Sequence, residues 1–410
     1  MASRNDYIAS IDIGTDKIAV LVAEKEEEKL RIIGNNIFPS DGVRKGSISA
    51  IDPLSRAISK MVDQTQKSFD LDIALVRVNL SDTHLTCIDG YGKVPIHEFV
   101  TSDDIDKVLE TASAIPTPTN KEKLHTIKKK FIIDEDHIVD NPEGMQAEVL
   151  ESKVLIVTVS SVSMRNIESC LKKCDLMIEK NGIVLDSIAN SEAMLTQEEK
   201  DGGVCLIDFG AGVTSYSVFQ EEGIVRSGVI SMGGDDVTQE IAFAFDTSLE
   251  EAKRLKEDYG HAKSSVIKDE QFVEFVQAAN KDPHYLSSLQ LSEVIEEAYL
   301  NILSTLKNEL RHHNLDVNIK SGFVLCGGGA QILGCEVLVR EFFNRRVKMG
   351  IVQRNRISGL ETILMDYRYA NAIGLLLHQE DLSKEDFIMS KGRSGNGVIG
   401  KIKEALVGNF

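Results

Sequence analysis

The sequence predicts an α/β protein built of two similar halves, and three observations carry that prediction. An apolar strand, a glycine turn and two further strands open the chain and recur near residue 204. Both copies place an aspartate two residues before the turn glycine, as Asp12-Ile13-Gly14 and Asp208-Phe209-Gly210. Helical periodicity separates the strand clusters. It is cleanest over 292–312, where Ile295, Ala298, Tyr299, Ile302, Leu303, Leu306 and Leu310 recur at three and four residues. A chain of 410 residues has room for two to three domains at about 150 residues each.

In the first copy, residues 7–13 read as a strand, Gly14-Thr15-Asp16 as a turn and 17–23 as the second strand. The acidic run 24–28 reads as a solvated turn and 30–38 as the third strand. Residues 53–66 form a predicted helix with Leu54, Ile58, Met61 and Val62 on one face. Residues 81–159 read as an insertion in which strands at 85–89, 131–134 and 154–159 flank a helix at 102–112. Ser102 is the expected cap of that helix, with Asp103 and Asp104 in its positive first turn. Lys128-Lys129-Lys130 reads as a solvated edge that discourages sheet pairing, with a contact patch as the alternative. Residues 166–173 continue a helix. The second copy then runs as strands 204–209, 213–219 and 224–232 around the turns Gly210-Ala211-Gly212 and Glu221-Glu222-Gly223. The last buried strand leads into Gly327-Gly328-Gly329, with a helix predicted from Gln331.

Composition excludes several classes. An apolar fraction of 42% and a charged fraction of 27% are ordinary for a folded chain and exclude a mainly disordered, collagen-like or disulfide-scaffold protein. The net charge of −18 argues against nonspecific binding of nucleic acid, which needs clustered cations at phosphates. No apolar run approaches the roughly 18 residues of a spanning helix. Asp6 and Asp12 stand where a signal peptide has its apolar core, so export is not expected. Cys87, Cys170, Cys174, Cys205, Cys326 and Cys335 lack CxxC spacing and read as reduced core thiols rather than a metal site. A cytoplasmic setting follows.

The two aspartate–glycine turns carry the chemistry. A glycine turn between strands presents successive backbone N–H groups as an anion-binding nest. Glycine also lets the backbone approach a phosphate with no Cβ in the way. Two such loops face to face would grip the β and γ phosphates of a nucleotide. Gly14, Thr15, Asp16 and Lys17 would act from one side, and Gly210, Ala211, Gly212 and Val213 from the other. Thr15 brings a hydroxyl and Lys17 a point charge. Asp12 and Asp208 are placed to hold Mg²⁺ through water, since that ion prefers carboxylates and retained water. The strand running into Gly327, Gly328 and Gly329 is a close-approach site, expected against the sugar and base.

These residues resemble the actin, Hsp70 and sugar-kinase superfamily, which has two phosphate loops and an adenosine loop in this order. Within it the chain resembles the FtsA family of bacterial cell-division proteins over essentially its whole length. The more specific marks are Ile11-Asp12-Ile13-Gly14-Thr15 and the insertion with Asn141-Pro142 and Gly144. Further marks are Gly233-Gly234 with Thr238 and Ile241-Ala242, then Ala372-Ile373-Gly374-Leu375-Leu376. The resemblance implies an actin-like two-lobed ATPase fold with an FtsA-type inserted subdomain and a C-terminal amphipathic helix. The first lobe would be 1–80 with 160–202, the inserted subdomain 81–159, and the second lobe 203–230 with 320–378. A further subdomain would occupy 231–319, a linker 379–397 and a membrane-targeting helix 398–410.

The resemblance also implies ATP and Mg²⁺ in the cleft and self-assembly into protofilaments. It implies the C-terminal tail of FtsZ as a partner on the subdomain that holds the 292–312 helix, and recruitment of later divisome proteins. The place implied is the cytoplasmic face of the inner membrane at the septum. Many relatives carry Gly-Gly-Gly-Thr in the second loop with an acidic residue two positions on, where this chain has Gly210-Ala211-Gly212-Val213-Thr214-Ser215. Nucleotide binding with weak or absent hydrolysis is therefore expected. Lys256 matches a lysine that reaches the nucleotide in related proteins, with Lys253 where an acidic residue is often found. Glu192 lies near the superfamily's water-orienting position and reads as an exposed helix residue; no general base stands out.

The tail fits an anionic lipid surface. Val398, Ile399, Ile402, Leu406 and Phe410 form an apolar stripe with Lys401 and Lys403 beside it. Each buried apolar side chain contributes about 1.5–3 kcal/mol, but an isolated helix this short is marginal in water and Gly400 costs roughly 1 kcal/mol more. Single tails should bind weakly, and several on one polymer should add through effective concentration. The runner-up within the fold is a PilM-like pilus-assembly protein. A sugar or acetate kinase would need a carboxylate aimed at a substrate hydroxyl, and none stands out.

Overall fold

The computed structural model describes residues 7–26, 29–221, 223–278 and 283–378. The expected linker and amphipathic segment over 379–410 lie outside the described residues. The chain divides into two units: Met1–Asp89 with Pro116–Lys129 and Leu155–His378, and Gly90–Ile115 with Lys130–Val154.

The first unit holds two sheets of one design. The first sheet runs in the order Met177–Leu185, Leu75–Leu80, Tyr7–Ile13, Lys17–Glu26, Lys29–Pro39 and Ile357–Ser358. The second runs Val347–Met349, Gly322–Cys326, Val204–Phe209, Thr214–Gln220 and Gly223–Ile230. In each, a three-strand antiparallel meander is followed by two strands added parallel to its first strand. The duplication legible in the sequence thus extends to topology, and even to hairpin register. Ile13 faces Ile18 and Phe209 faces Thr214. Gly14 N donates to Lys17 O at 2.9 Å, and Gly210 N donates to Val213 O at 3.0 Å.

Strand periodicity explains why these runs are mostly apolar. Successive side chains alternate between sheet faces, and both faces are covered, so the few polar side chains, Ser10 and Ser217 among them, are buried. Ala19, Leu21 and Ala23 enter a core shared with the second sheet, while Ile18, Val20 and Val22 face the helices Ile51–Phe69 and Ser161–Lys173. In the second sheet Val204 and Leu206 join the shared core, and Cys205, Ile207 and Phe209 face the helix Ser288–His312.

Two short helices, Asp186–Met194 and Ala370–Leu377, lie in the shared core. They show little amphipathicity because they are covered on all sides. Their crossing is so close that a Cβ at Gly374 would lie 1.8 Å from Ala189 O. Both are tied to their surroundings. Ser10 Oγ donates to Ala372 O at 2.8 Å, and Ser217 Oγ donates to Ser187 O at 3.3 Å.

The second unit carries the helix Ser102–Ser113 with parts of a four-stranded sheet ordered Thr86–Phe99, Gln146–Ser160, Lys121–Ile133 and His137–Val139. These strands are far longer than the short segments expected. Across the described residues no helix is long and apolar enough to cross a membrane.

The structure corrects several local expectations. The helix at 102 is capped by Thr101 rather than Ser102: Thr101 Oγ1 accepts from Asp104 N at 3.3 Å, and the Asp104 carboxylate accepts from Thr101 N at 3.1 Å. That reciprocal capping box uses two donors at once. Lys129 is buried and pairs with Asp89 at 2.8 Å, because strand alternation turns it inward with His125. The second strand runs on to Glu26 through part of the acidic run. The triple glycine leads into a 3₁₀ turn, Gly328–Gln331, and the helix starts only at Cys335. Ala262 N donates to Leu333 O at 2.7 Å, which holds the intervening segment extended. All six cysteines are free, five of them buried.

Replacing Gly374 by alanine should force the two central helices apart. Overpacking costs about 3 kcal/mol, and the gain in helix propensity returns about 1 kcal/mol. Gly374→Ala is expected to be about 2 kcal/mol less stable, read as a lower urea midpoint; an unchanged midpoint would show that the crossing is not tight.

Candidate functional site

A cavity of about 760 Å³ is lined by the hairpin turns of both sheets, a volume in the ordinary range for small-molecule sites. Every residue singled out for phosphate, sugar or ion contact lines it: Asp12, Gly14, Thr15, Asp16, Lys17, Asp208, Gly210, Ala211, Gly212, Val213, Lys256, Gly327, Gly328 and Gly329. Residues nearly two hundred positions apart meet here because each hairpin follows the first strand of its own sheet.

The two turns touch. A Cβ at Gly212 would lie 2.5 Å from Thr15 Oγ1 and 3.0 Å from Lys45 Cα. Thr15 Oγ1 accepts from Gly46 N at 3.1 Å, which leaves its O–H free to donate. The closing hydrogen bonds use only Gly14 N and Gly210 N. Among the described residues the amides of Thr15, Asp16, Ala211 and Gly212 have no protein acceptor. Gly233 packs behind the second turn, where a Cβ would lie 2.6 Å from Ala211 O. Gly234 N and Asp235 N donate to Gly210 O and Ala211 O at 2.9 and 2.8 Å, fixing that turn on the start of the Gly234–Ala244 helix.

The cavity floor is acidic. Asp12 and Asp208 are joined by Asp186, which the sequence reading missed. Asp186 and Asn190 sit four apart on the Asp186–Met194 helix, hence on one face. Asn190 Nδ2 donates to Asp208 Oδ2 at 2.8 Å. Asn79 Nδ2 donates to Asp186 Oδ1 at 2.8 Å, and Asn79 Oδ1 accepts from Ile13 N at 2.6 Å. Burial first, and then the charges of Asp12 and Asp208, push the Asp186 carboxyl up to about 7 against the pull of Asn79. Burial and the Asp12 charge push Asp208 up to about 6, against Lys17 and Asn190. Gly327, at φ +84, packs so tightly here that a Cβ would lie 2.1 Å from Asp208 Oδ1.

The cations are more committed than expected. Lys17 Nζ donates to the Asp12 carboxylate rather than standing free. Lys256 Nζ donates to Gly234 O and Thr238 Oγ1, each at 2.8 Å, and burial lowers its pKa. Lys253, on the helix Leu249–Tyr259, pairs with Asp16 at 2.7 Å, and Lys45 pairs with Asp236, on the helix Gly234–Ala244, at 2.5 Å. Glu192 is neither exposed nor in the cavity. Lys200 and Arg356 each donate to it at 2.8 Å.

A divalent ion suits this floor. Asn190 Oδ1, Ser215 Oγ and Asn371 Oδ1 line the cavity, buried and without a hydrogen-bond partner. Burial first, and then the neighbouring carboxylate charge, makes Asp186 and Asp208 hold protons more tightly than usual. Among the described residues no three acidic, imidazole or thiol groups sit close enough to chelate an ion directly. The donor set is hard oxygen, which fits Mg²⁺ that keeps its water.

The family model described as "Cell division protein FtsA" matches residues 205–374, and that described as "SHS2 domain inserted in FTSA" matches residues 83–158. The chain is 31% identical to the cell division protein FtsA of Pseudomonas aeruginosa, covering 98% of each. It is 29% identical to that of Escherichia coli K12, covering 92% of this chain and 90% of the relative. Among solved structures it is similar to a PilM-PilN type IV pilus biogenesis complex at TM-score 0.63 and 15% identity, covering 90% of this chain and 97% of that one. It is similar to MreB5 of Spiroplasma citri bound to ADP at TM-score 0.55 and 12% identity, covering 96% and 100%. A MamK double helical filament gives TM-score 0.53 and 12% identity, covering 91% and 98%. The fold is thus actin-like α/β with an inserted SHS2 domain.

The raised carboxyls set a pH dependence. A carboxyl that binds its proton more tightly when folded stabilises the fold at low pH and loses that contribution as pH rises from about 4 through its folded pKa. Without divalent ions, Asp186→Asn keeps the acceptor for Asn79 and should melt about 2–5 °C higher than the natural chain at pH 8. At pH 4 the two should match. A difference of equal size at both pH values would contradict the assignment.

Proposed function

We infer function from one premise: the chain belongs to the FtsA family of cell division proteins. We propose that it binds ATP with Mg²⁺ in the cleft and assembles with copies of itself. It would hold the C-terminal tail of FtsZ at the cytoplasmic face of the inner membrane at the septum, and help recruit later divisome proteins. The observation that carries the nucleotide reading is the pair of turns in identical register, touching at Gly212 and Thr15, with free amides on both.

The amides of Thr15, Asp16, Ala211 and Gly212 would hold the phosphates as an anion nest. Asp12 and Asp208 would hold hydrated Mg²⁺, which when bound neutralises phosphate charge. Lys256 would reach the nucleotide, and Gly327, Gly328 and Gly329 would lie against its sugar and base. Solved neighbours lend support: MreB5 was crystallised with ADP and with AMPPNP, and MamK forms a double helical filament.

Hydrolysis is proposed to be slow. The second loop presents Val213 and Ser215 in place of a hydroxyl and a carboxylate. Asp186, whose carboxyl burial pushes up to about 7, is proposed as the general base. The subdomain 231–319, with the Ser288–His312 helix, is proposed to receive FtsZ. Residues 81–159, which include the SHS2 match, would form the inserted subdomain. Val398, Ile399, Ile402, Leu406 and Phe410 with Lys401 and Lys403 would bind anionic lipid.

Titration calorimetry with ATP and Mg²⁺ is expected to show saturable one-site binding. Gly212→Val, whose side chain would collide with Thr15 and Lys45, should weaken it at least about tenfold. A properly folded chain with no affinity for any purine triphosphate would end the nucleotide reading. Asp186→Asn should slow ATP turnover at least about tenfold while leaving affinity within about threefold; unchanged turnover would remove Asp186 as the base. A chain truncated after Gln379 should no longer sediment with anionic vesicles, and retained sedimentation would place the lipid contact elsewhere.

A further inference from the structure

We propose that His261 reads the base, accepting a hydrogen bond at Nε2 from the 6-amino group of a purine nucleotide and so selecting 6-aminopurines over 6-oxopurines. This inference rests on the nucleotide reading above and deepens it.

The cavity has two chemically different ends. The turns and the aspartates form the end that suits phosphate and metal. The other is lined by Tyr259, Gly260, His261, Gln331, Ile332 and Leu333, which set apolar surface for a flat heterocycle beside polar groups that can fix its orientation. Two chain segments build that wall and are zipped together: His261 bridges Leu333 in parallel, and Ala262 N donates to Leu333 O at 2.7 Å. Gly260 allows the sharp exit from the Leu249–Tyr259 helix, since a Cβ there would lie 2.3 Å from Lys256 O. That exit brings the half-buried His261 to the cavity wall.

The imidazole is held in one tautomer. His261 Nδ1 lies 3.1 Å from Tyr259 O. A carbonyl oxygen only accepts, so Nδ1 carries the proton in the neutral ring and Nε2 is an acceptor. Nε2 has no hydrogen-bond partner among the described residues. A 6-amino group supplies the missing N–H. A 6-oxo group would instead set an oxygen against a lone pair, and reversing the tautomer would break the bond to Tyr259.

The test uses the full chain with Mg²⁺ and three probes: ATP, inosine triphosphate (6-oxo) and purine riboside triphosphate (hydrogen at position 6). The natural chain should bind ATP at least about tenfold tighter than either of the others. In His261→Leu the three affinities should fall within about threefold. Equal binding of ATP and purine riboside triphosphate by the natural chain would overturn the proposal, and this comparison decides alone if the variant misfolds. A folded variant that keeps the full preference would overturn it too. Binding of none of the three by the natural chain would instead remove the nucleotide reading on which the proposal stands.

Discussion

Gly374 meets Ala189 with no room for a side chain between them, and the first unit is arranged around that crossing. The helix that carries Ala189 also reaches the cavity. Asp186 and Asn190 lie there, one held by Asn79 from the first sheet and the other holding Asp208 of the second. A single nine-residue helix therefore sets both how closely the sheets approach and where the acidic floor lies. Packing and chemistry are not separable at this point. A shift of the crossing moves Asp186 relative to Asp12 and Asp208, and with it the balance of burial and repulsion that fixes their protonation.

Much of this was legible in the sequence, because both hairpins announce themselves. An all-apolar strand, a glycine turn and an aspartate two residues earlier form a local pattern, and its recurrence at residue 204 shows the duplication. The turn residues that line the cavity could be picked out because glycine and aspartate are costly in a buried strand end unless they serve a purpose. Asp186 escaped for the opposite reason. Its helix is short and buried on every side, so it shows no apolar stripe to orient the reader. A lone aspartate followed four residues later by Asn190 was the only signal. Thr101, Lys129 and the late start of the Cys335–Phe343 helix escaped because each depends on a partner distant in sequence or on a side chain reaching back to the backbone.

Fold and family rest on different observations. The two-sheet design, with helices in a shared core, is common to actin-like proteins of distant sequence, pilus-assembly and filament-forming ones included. Membership in the FtsA family rests on the matches of the second half of the chain and of the inserted domain, and on relatives aligned along nearly the whole length. Within the inserted domain, Gly90–Ile115 and Lys130–Val154 form a unit of their own.

Lys45 and Lys253 each extend from an element of one half to a carboxylate of the other, at Asp236 and Asp16. Both pairs are partly hydrated, so each is worth about 0–1 kcal/mol. Together they bias the cleft toward closure by little more than thermal energy. Opening then trades two contacts for water, and dissolved ions compete for the same charges with a reach of about 8 Å at physiological ionic strength. The charge pairs that span the mouth of the cleft are therefore ones that dissolved salt weakens.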